Sequence, residues 1–170
     1  MGTGEGAAPG RTGPVRRRPA TDDDSTALVA LIGGCYAEYP GCVLDLPGID
    51  GWLLAPASAY AGAGRLWVVE LDGVVVACVG HKPTKPGRVE LKSLYVAATA
   101  RRCGLGAGLV SVVEEAARAA GASVVELWSD TRFADAHRLY ERLGYRRGKH
   151  TRQLHDPSDT TEYFYDRRLA

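Results

Sequence analysis

Long apolar runs are missing from this 170-residue chain: no stretch approaches the roughly 18 consecutive apolar residues that a membrane span needs. The first 14 residues, Met1 to Pro14, also lack the basic-then-apolar pattern of a secretory leader. A cytoplasmic protein without a membrane partner is therefore expected. Charge of one sign is equally scarce. Acids and bases nearly cancel, leaving a formal net charge of +1, which argues against nucleic acid as a partner. Cys35, Cys42, Cys78 and Cys103 include no C-x-x-C pair, so neither a disulfide framework nor a zinc site is expected. His81, His137, His150 and His155 are scattered without metal-ligand spacing. No metal is expected; His81 is the histidine nearest the anticipated cleft, and His137 reads as structural.

What is present is a glycine-rich anion loop. Arg101-Arg102-Cys103-Gly104-Leu105-Gly106-Ala107-Gly108 follows a β-rich run and opens an amphipathic pattern. The glycines allow a tight backbone curl with several N–H groups converging, and a helix N-terminus adds its positive dipole. Arg101 and Arg102 supply permanent charge for further phosphates, although a solvated loop would also carry them. No Lys-Ser or Lys-Thr follows the glycines, which excludes a nucleoside-triphosphatase loop. The G-x-G-x-G spacing, well past mid-chain, fits the dinucleotide fingerprint poorly. Cys103, at a helix start, reads as a small loop residue or as a reactive thiol.

The periodicities around this loop give a mixed α/β order. Residues 1–14 form a Gly-rich tail with too little apolar content to fold, and one domain occupies 15–170. Val15 to Arg18 is a short strand, and Thr21 with Asp24 forms a capping arrangement for a helix through Cys35. Breakers interrupt 36–64. Leu66 to Leu71 and Val74 to Val79 make a hairpin around Asp72-Gly73, and Pro83 to Gly87 turns into a strand over Val89 to Val96. A helix through Leu109, Val112, Val113 and Ala116 crosses to a strand at Ser123 to Ser129, implying a right-handed parallel crossover. A last helix carries Ala136, Leu139, Tyr140 and Leu143, and a long hairpin closes the chain.

The loop, with Ala136-His137-Arg138-Leu139-Tyr140-Glu141-Arg142-Leu143-Gly144-Tyr145 downstream, resembles the GNAT superfamily of acetyl-CoA-dependent N-acetyltransferases. The resemblance spans about 15–169 in element order and is strongest from Glu90 to Tyr145. It implies an α+β fold with a mostly antiparallel sheet, a splayed parallel pair at its middle and helices on both faces. It also implies acetyl-CoA as co-substrate, its pantetheine arm on the backbone of Leu94, Tyr95 and Val96. The pyrophosphate would lie on the amides of Arg102, Cys103, Gly104, Leu105, Gly106 and Ala107.

Acetyl transfer to an amine needs a neutral nucleophile, an oxyanion donor and a proton for the departing thiolate. Glu90, eleven positions before Arg101, is the base by resemblance; alternatively it is a strand carboxylate paired with Lys92. Asp130 is a reserve base or a turn carboxylate. Tyr140 is the acid, a core aromatic, or both, and a backbone N–H near Leu94 is the oxyanion donor. Glu38, Asp45, Asp50, Trp52, Tyr36, Tyr39 and Tyr60 would suit a cationic small-molecule amine, or the rings pack on the sheet. A peptide amine acceptor, a non-catalytic acyl-CoA sensor and a nicotinamide-nucleotide oxidoreductase are the rival functions, and a homodimer is admissible.

Overall fold

The computed structural model describes residues 13–170; the expected N-terminal tail falls almost wholly outside them. Seven strands, β1 (Val15–Pro19), β2 (Arg65–Leu71), β3 (Val74–Lys85), β4 (Arg88–Val96), β5 (Val124–Asp130), β6 (Arg146–Gln153) and β7 (Thr161–Arg168), form one sheet. Their order is β1-β2-β3-β4-β5-β7-β6. Only β4 and β5 run parallel; every other neighbouring pair is antiparallel. The helices are α1 (Ser25–Tyr36), α2 (Pro56–Tyr60), α3 (Leu105–Ala119) and α4 (Ala134–Arg142).

Alternation along β2 and β3 sends side chains to two separate cores. Leu66, Val68 and Cys78 pack with Leu28, Ile32 and Cys35 of α1 and Tyr60 of α2. Trp67, Val69, Ala77 and Val79 face the other way, onto Leu109, Val113 and Ala117 of α3 and Tyr140 of α4. The expected two-faced α+β sheet is thus present. No helix among the described residues is long and apolar enough to cross a membrane.

Local signals hold where they are local. Leu71 pairs directly with Val74 across Asp72 and Gly73, both at positive φ (53° and 75°), the geometry of a two-residue type I′ turn. The Thr21 N–H donates to Asp24 at 2.7 Å, so the capping arrangement forms, with a short 3₁₀ turn ahead of α1. One expectation is corrected: β3 continues through Pro83 to Lys85, so the turn before β4 is confined to Pro86 and Gly87. The expected closing hairpin forms and folds back with β7 inside, against β5, leaving β6 at the edge.

The feature that makes room for chemistry is the parting of β4 from β5. They pair only over Arg88–Glu90 and Val124–Glu126, although β4 runs on to Val96 and β5 to Asp130. The cause is visible in β4. Gly80 pairs with Lys92 while Cys78 pairs with Tyr95, so Val79 faces two residues, Ser93 and Leu94. That bulge, with Ser93 at φ 54°, bends β4 away from its parallel neighbour.

Candidate active site

Where β4 leaves β5, two cavities meet. The larger, about 480 Å³, runs from Leu94, Tyr95 and Val96 to the loop preceding α3 and the side of α4. The smaller, about 110 Å³, lies beyond the same Leu94 and Tyr95, between β5, α1 and the segment 42–50. Both are also lined by Phe133 and Ala136, so they adjoin as one cleft beside the bulge.

The larger cavity ends on a row of unused main-chain donors. Gly108 N–H bonds to the Gly104 carbonyl, but none of the N–H groups from Arg101 to Ala107 donates to a described main-chain acceptor. Gly104 stands at φ 80° and Arg102 at φ 63°, so the backbone turns left-handed twice before α3 begins. The helix dipole adds to the same point. One expectation changes here. Gly106 and Gly108 lie in the first turn of α3 and do not shape the loop's curl. Gly106 instead permits close approach of α4, since a Cβ there would sit 3.1 Å from a Leu139 methyl.

The two arginines divide. Arg101 is turned inward: it holds Glu38 through both terminal nitrogens at 2.7 and 2.6 Å and donates from Nε to the Val96 carbonyl at 2.9 Å. Its guanidinium ties the end of α1 to the end of β4, although it still borders the cavity. Arg102 is exposed, borders the same cavity and has no ion-pair partner among the described residues, as has Arg142 of α4. Arg142 was not singled out from sequence; its spacing of three from Leu139 on one helix face was the available signal. Cys103 is exposed, with Sγ 3.0 Å from the Ala100 carbonyl.

Tyr140 reaches the smaller cavity from α4. The residue is 5% exposed and its ring packs at a tilt against Tyr145 and Tyr165, yet its hydroxyl makes no hydrogen bond to a described residue. Burial raises its pKa above the usual phenol value, keeping the proton on oxygen. Tyr140 is thus a core ring whose residue also lines the cavity.

Glu90 borders neither cavity. It projects from β4 on the α1 and α2 face, where Lys92 Nζ donates to Oε1 at 3.1 Å. Glu162, which does line the smaller cavity, lies near enough to feel both Glu90 and Lys92. Asp130 lines that cavity, but Arg132 grips both of its oxygens at 2.8 to 3.1 Å. His137 is buried, donates from Nε2 to the Asp130 carbonyl at 3.0 Å and stacks on Tyr165, a structural role. His81 lines neither cavity; it packs against Trp67 with Nδ1 unpartnered, and burial together with Arg65 lowers its pKa.

The aromatic and acidic segment is split as well. Tyr36 and Asp50 face the smaller cavity, and Tyr39 the larger. Trp52 and Tyr60 pack on one another and on the sheet, while Glu38 belongs to Arg101. Asp156 and Leu154 join the cavity wall from the closing hairpin. The hairpin is anchored by Ser158, whose hydroxyl accepts from the Val43 N–H and donates to the Val43 carbonyl. A contact across 115 residues leaves no local trace in sequence.

The acetyltransferase (GNAT) family model matches residues 19–145. A probable N-acetyltransferase camello of Xenopus tropicalis is 30% identical over 130 residues, covering 73% of this chain and 59% of that protein. The chain thus spans well under two thirds of that relative's length. Among solved structures, a GNAT-family acetyltransferase of Staphylococcus aureus Mu50 superposes with a TM-score of 0.81 at 18% identity, over 92% of this chain and 100% of that one. The yncA protein of Salmonella typhimurium, solved with its cofactor acetyl-CoA, superposes with a TM-score of 0.66 at 18% identity, over 92% and 94%.

Proposed function

Because the chain belongs to the acetyltransferase (GNAT) family, we propose that it transfers an acetyl group from acetyl-CoA to the primary amine of a small molecule, by direct attack in a ternary complex. The observation that carries this is the run of free main-chain N–H groups from Arg101 to Ala107, set at one end of a cleft that passes between two parted strands. Those donors, with Arg102 and Arg142, fit a pyrophosphate. The backbone of Leu94, Tyr95 and Val96 offers the edge that β5 leaves unpaired to the amide-bearing arm. No metal enters the scheme.

Acetyl-CoA supplies the acetyl thioester; the chain supplies alignment and proton traffic. A C–N bond forms as the C–S bond breaks, so one proton must leave the nitrogen and another must reach sulfur. The Tyr140 hydroxyl, unpartnered and kept protonated by burial, gives the proton to sulfur. Glu90, which is paired with Lys92 and stands outside the cavity wall near Glu162, takes the amine proton by way of solvent. Backbone N–H at Leu94, beside the bulge, is the donor for the developing negative oxygen. The small volume of the inner cavity, about 110 Å³, favours a slender acceptor over a folded protein surface.

The test is release of free thiol from acetyl-CoA with a panel of small amines and amine-bearing peptides. Small amines should be acetylated faster than peptides. Glu90→Gln should lower kcat/KM at least roughly tenfold near neutral pH, and less at alkaline pH, where more of the amine is already neutral. Faster turnover of peptides would move the acceptor class to proteins. Coenzyme A binding with no turnover of any amine would leave an acyl-CoA sensor.

A further inference from the structure

The smaller cavity carries more negative charge than its own cations balance. Four carboxylates line it: Asp50, Asp130, Asp156 and Glu162. Two are neutralised within the fold, Asp130 by Arg132 at 2.8 Å and Glu162 by Arg152 at 2.5 Å. The other two have no ion-pair partner among the described residues. The Asp156 carboxylate accepts only from Thr160, through N–H at 2.7 Å and Oγ1 at 2.8 Å. Asp50 accepts the Asp45 N–H on Oδ2 at 2.8 Å, and its Oδ1 accepts from no described residue.

Asp50 is only 7% exposed, so little water reaches its carboxylate to compensate the charge. Burial, with Asp45 and Asp156 nearby, raises its carboxyl above the ordinary range. An ionised carboxylate that is largely desolvated and beside a like charge is costly unless something positive completes it. The cavity suits an organic cation better than a hydrated metal ion: Ile49, Leu154 and Trp128 also line it and suit methylenes. No cluster of ligands suited to a metal is found among the described residues.

We propose that the acceptor is a straight-chain diamine, whose remote ammonium sits between Asp50 and Asp156 while its other amine, as the free base, meets the thioester where Leu94 and Tyr140 line the cleft. This rests on the acetyl-transfer reading and adds the chemistry of the acceptor. The remote ammonium forms charge-assisted hydrogen bonds to Asp50 Oδ1 and to the Asp156 carboxylate, and the intervening methylenes run past Leu154 and Trp128. A monoamine of equal length leaves Asp50 uncompensated.

The experiment compares α,ω-diamines of graded length with alkyl monoamines of matching length, using thiol release, in the wild-type protein and in Asp50→Asn. The wild type should favour a diamine in kcat/KM by at least about tenfold, with an optimum at one chain length. Asp50→Asn should shrink that ratio toward unity, chiefly through KM. The variant is expected to fold: a raised carboxyl pKa means that Asp50 contributes less stability as pH rises through its folded value, so the amide should not lower Tm at neutral pH. Asp156→Asn gives a second measure of the ratio. Equal kcat/KM for diamines and monoamines, or an unchanged ratio in both variants, overturns the diamine assignment and leaves acetyl transfer standing. Coenzyme A binding with neither series acetylated overturns both.

Discussion

Tyr140→Phe should bind coenzyme A as the wild type does and lose about 10²–10⁴-fold in kcat. The size follows from what the hydroxyl does and does not do in the fold. It accepts and donates no hydrogen bond to a described residue, while the ring packs against Tyr145 and Tyr165 at centroid distances of 5.9 Å. Removing one oxygen therefore leaves the packing intact, and Tm should hardly move. The proton it carries is another matter. A departing thiolate needs a donor that is neutral at working pH and placed in the cleft, and burial pushes this phenol toward that state. Because its pKa is raised, the donor form persists through alkaline pH, so the wild-type rate should show no falling limb from Tyr140 between neutral pH and the free phenol value of about 10. Thermal melting, calorimetry with coenzyme A and a pH–rate profile separate the two roles of the ring. An unchanged kcat in Tyr140→Phe would make Tyr140 a core residue only.

Sequence carried the fold further than it carried the site, because fold signals are local and site contacts are not. The Asp72-Gly73 turn, the glycine before α3 and the apolar spacing through Leu109, Val112 and Val113 each act within a few residues, and each forms as expected. The parting of β4 from β5 is different. Leu91 to Val96 reads as an uninterrupted β-rich run, and only pairing with β3 shows that Ser93 is an extra residue. The resemblance to acetyltransferases supplied that feature where periodicity was silent. Arg101 shows the same limit from the other side: its place beside glycines suggests phosphate contact, but no local signal foretells that Glu38, 63 residues away, pairs with its guanidinium. The charge excess around Asp50 needed three separate segments, 42–50, β5 and the closing hairpin, to be brought together. Carboxylates that look alike along the chain differ once Arg132 and Arg152 are assigned to their partners.

Gly80→Val should be the most damaging single change outside the cleft, destabilising the protein by roughly 3–5 kcal/mol. A Cβ at position 80 would lie 2.3 Å from Cε1 and 2.7 Å from Cζ of Tyr60, too close for either ring or backbone to absorb. Tyr60 is 3% exposed and wedged between Trp52 and the sheet, so the ring must leave its site rather than tilt within it. The loss spreads to the cleft through one hydrogen bond, between the Tyr60 hydroxyl and Ser93 Oγ at 2.8 Å. Ser93 holds a left-handed φ of 54° that a serine adopts only at a cost of about 1–3 kcal/mol, and Tyr60 is one of the contacts that keeps it there. Freed of that contact, β4 can relax toward regular pairing and narrow the gap beside β5. Tyr60→Phe isolates this second effect: it keeps the ring, drops the hydrogen bond at a cost of about 1 kcal/mol, and should weaken coenzyme A binding more than it lowers stability. Denaturant melts alongside coenzyme A titrations decide it. A Gly80→Val protein as stable as wild type would mean that Tyr60 does not lie over Gly80, and normal coenzyme A affinity in Tyr60→Phe would mean that the bulge holds itself.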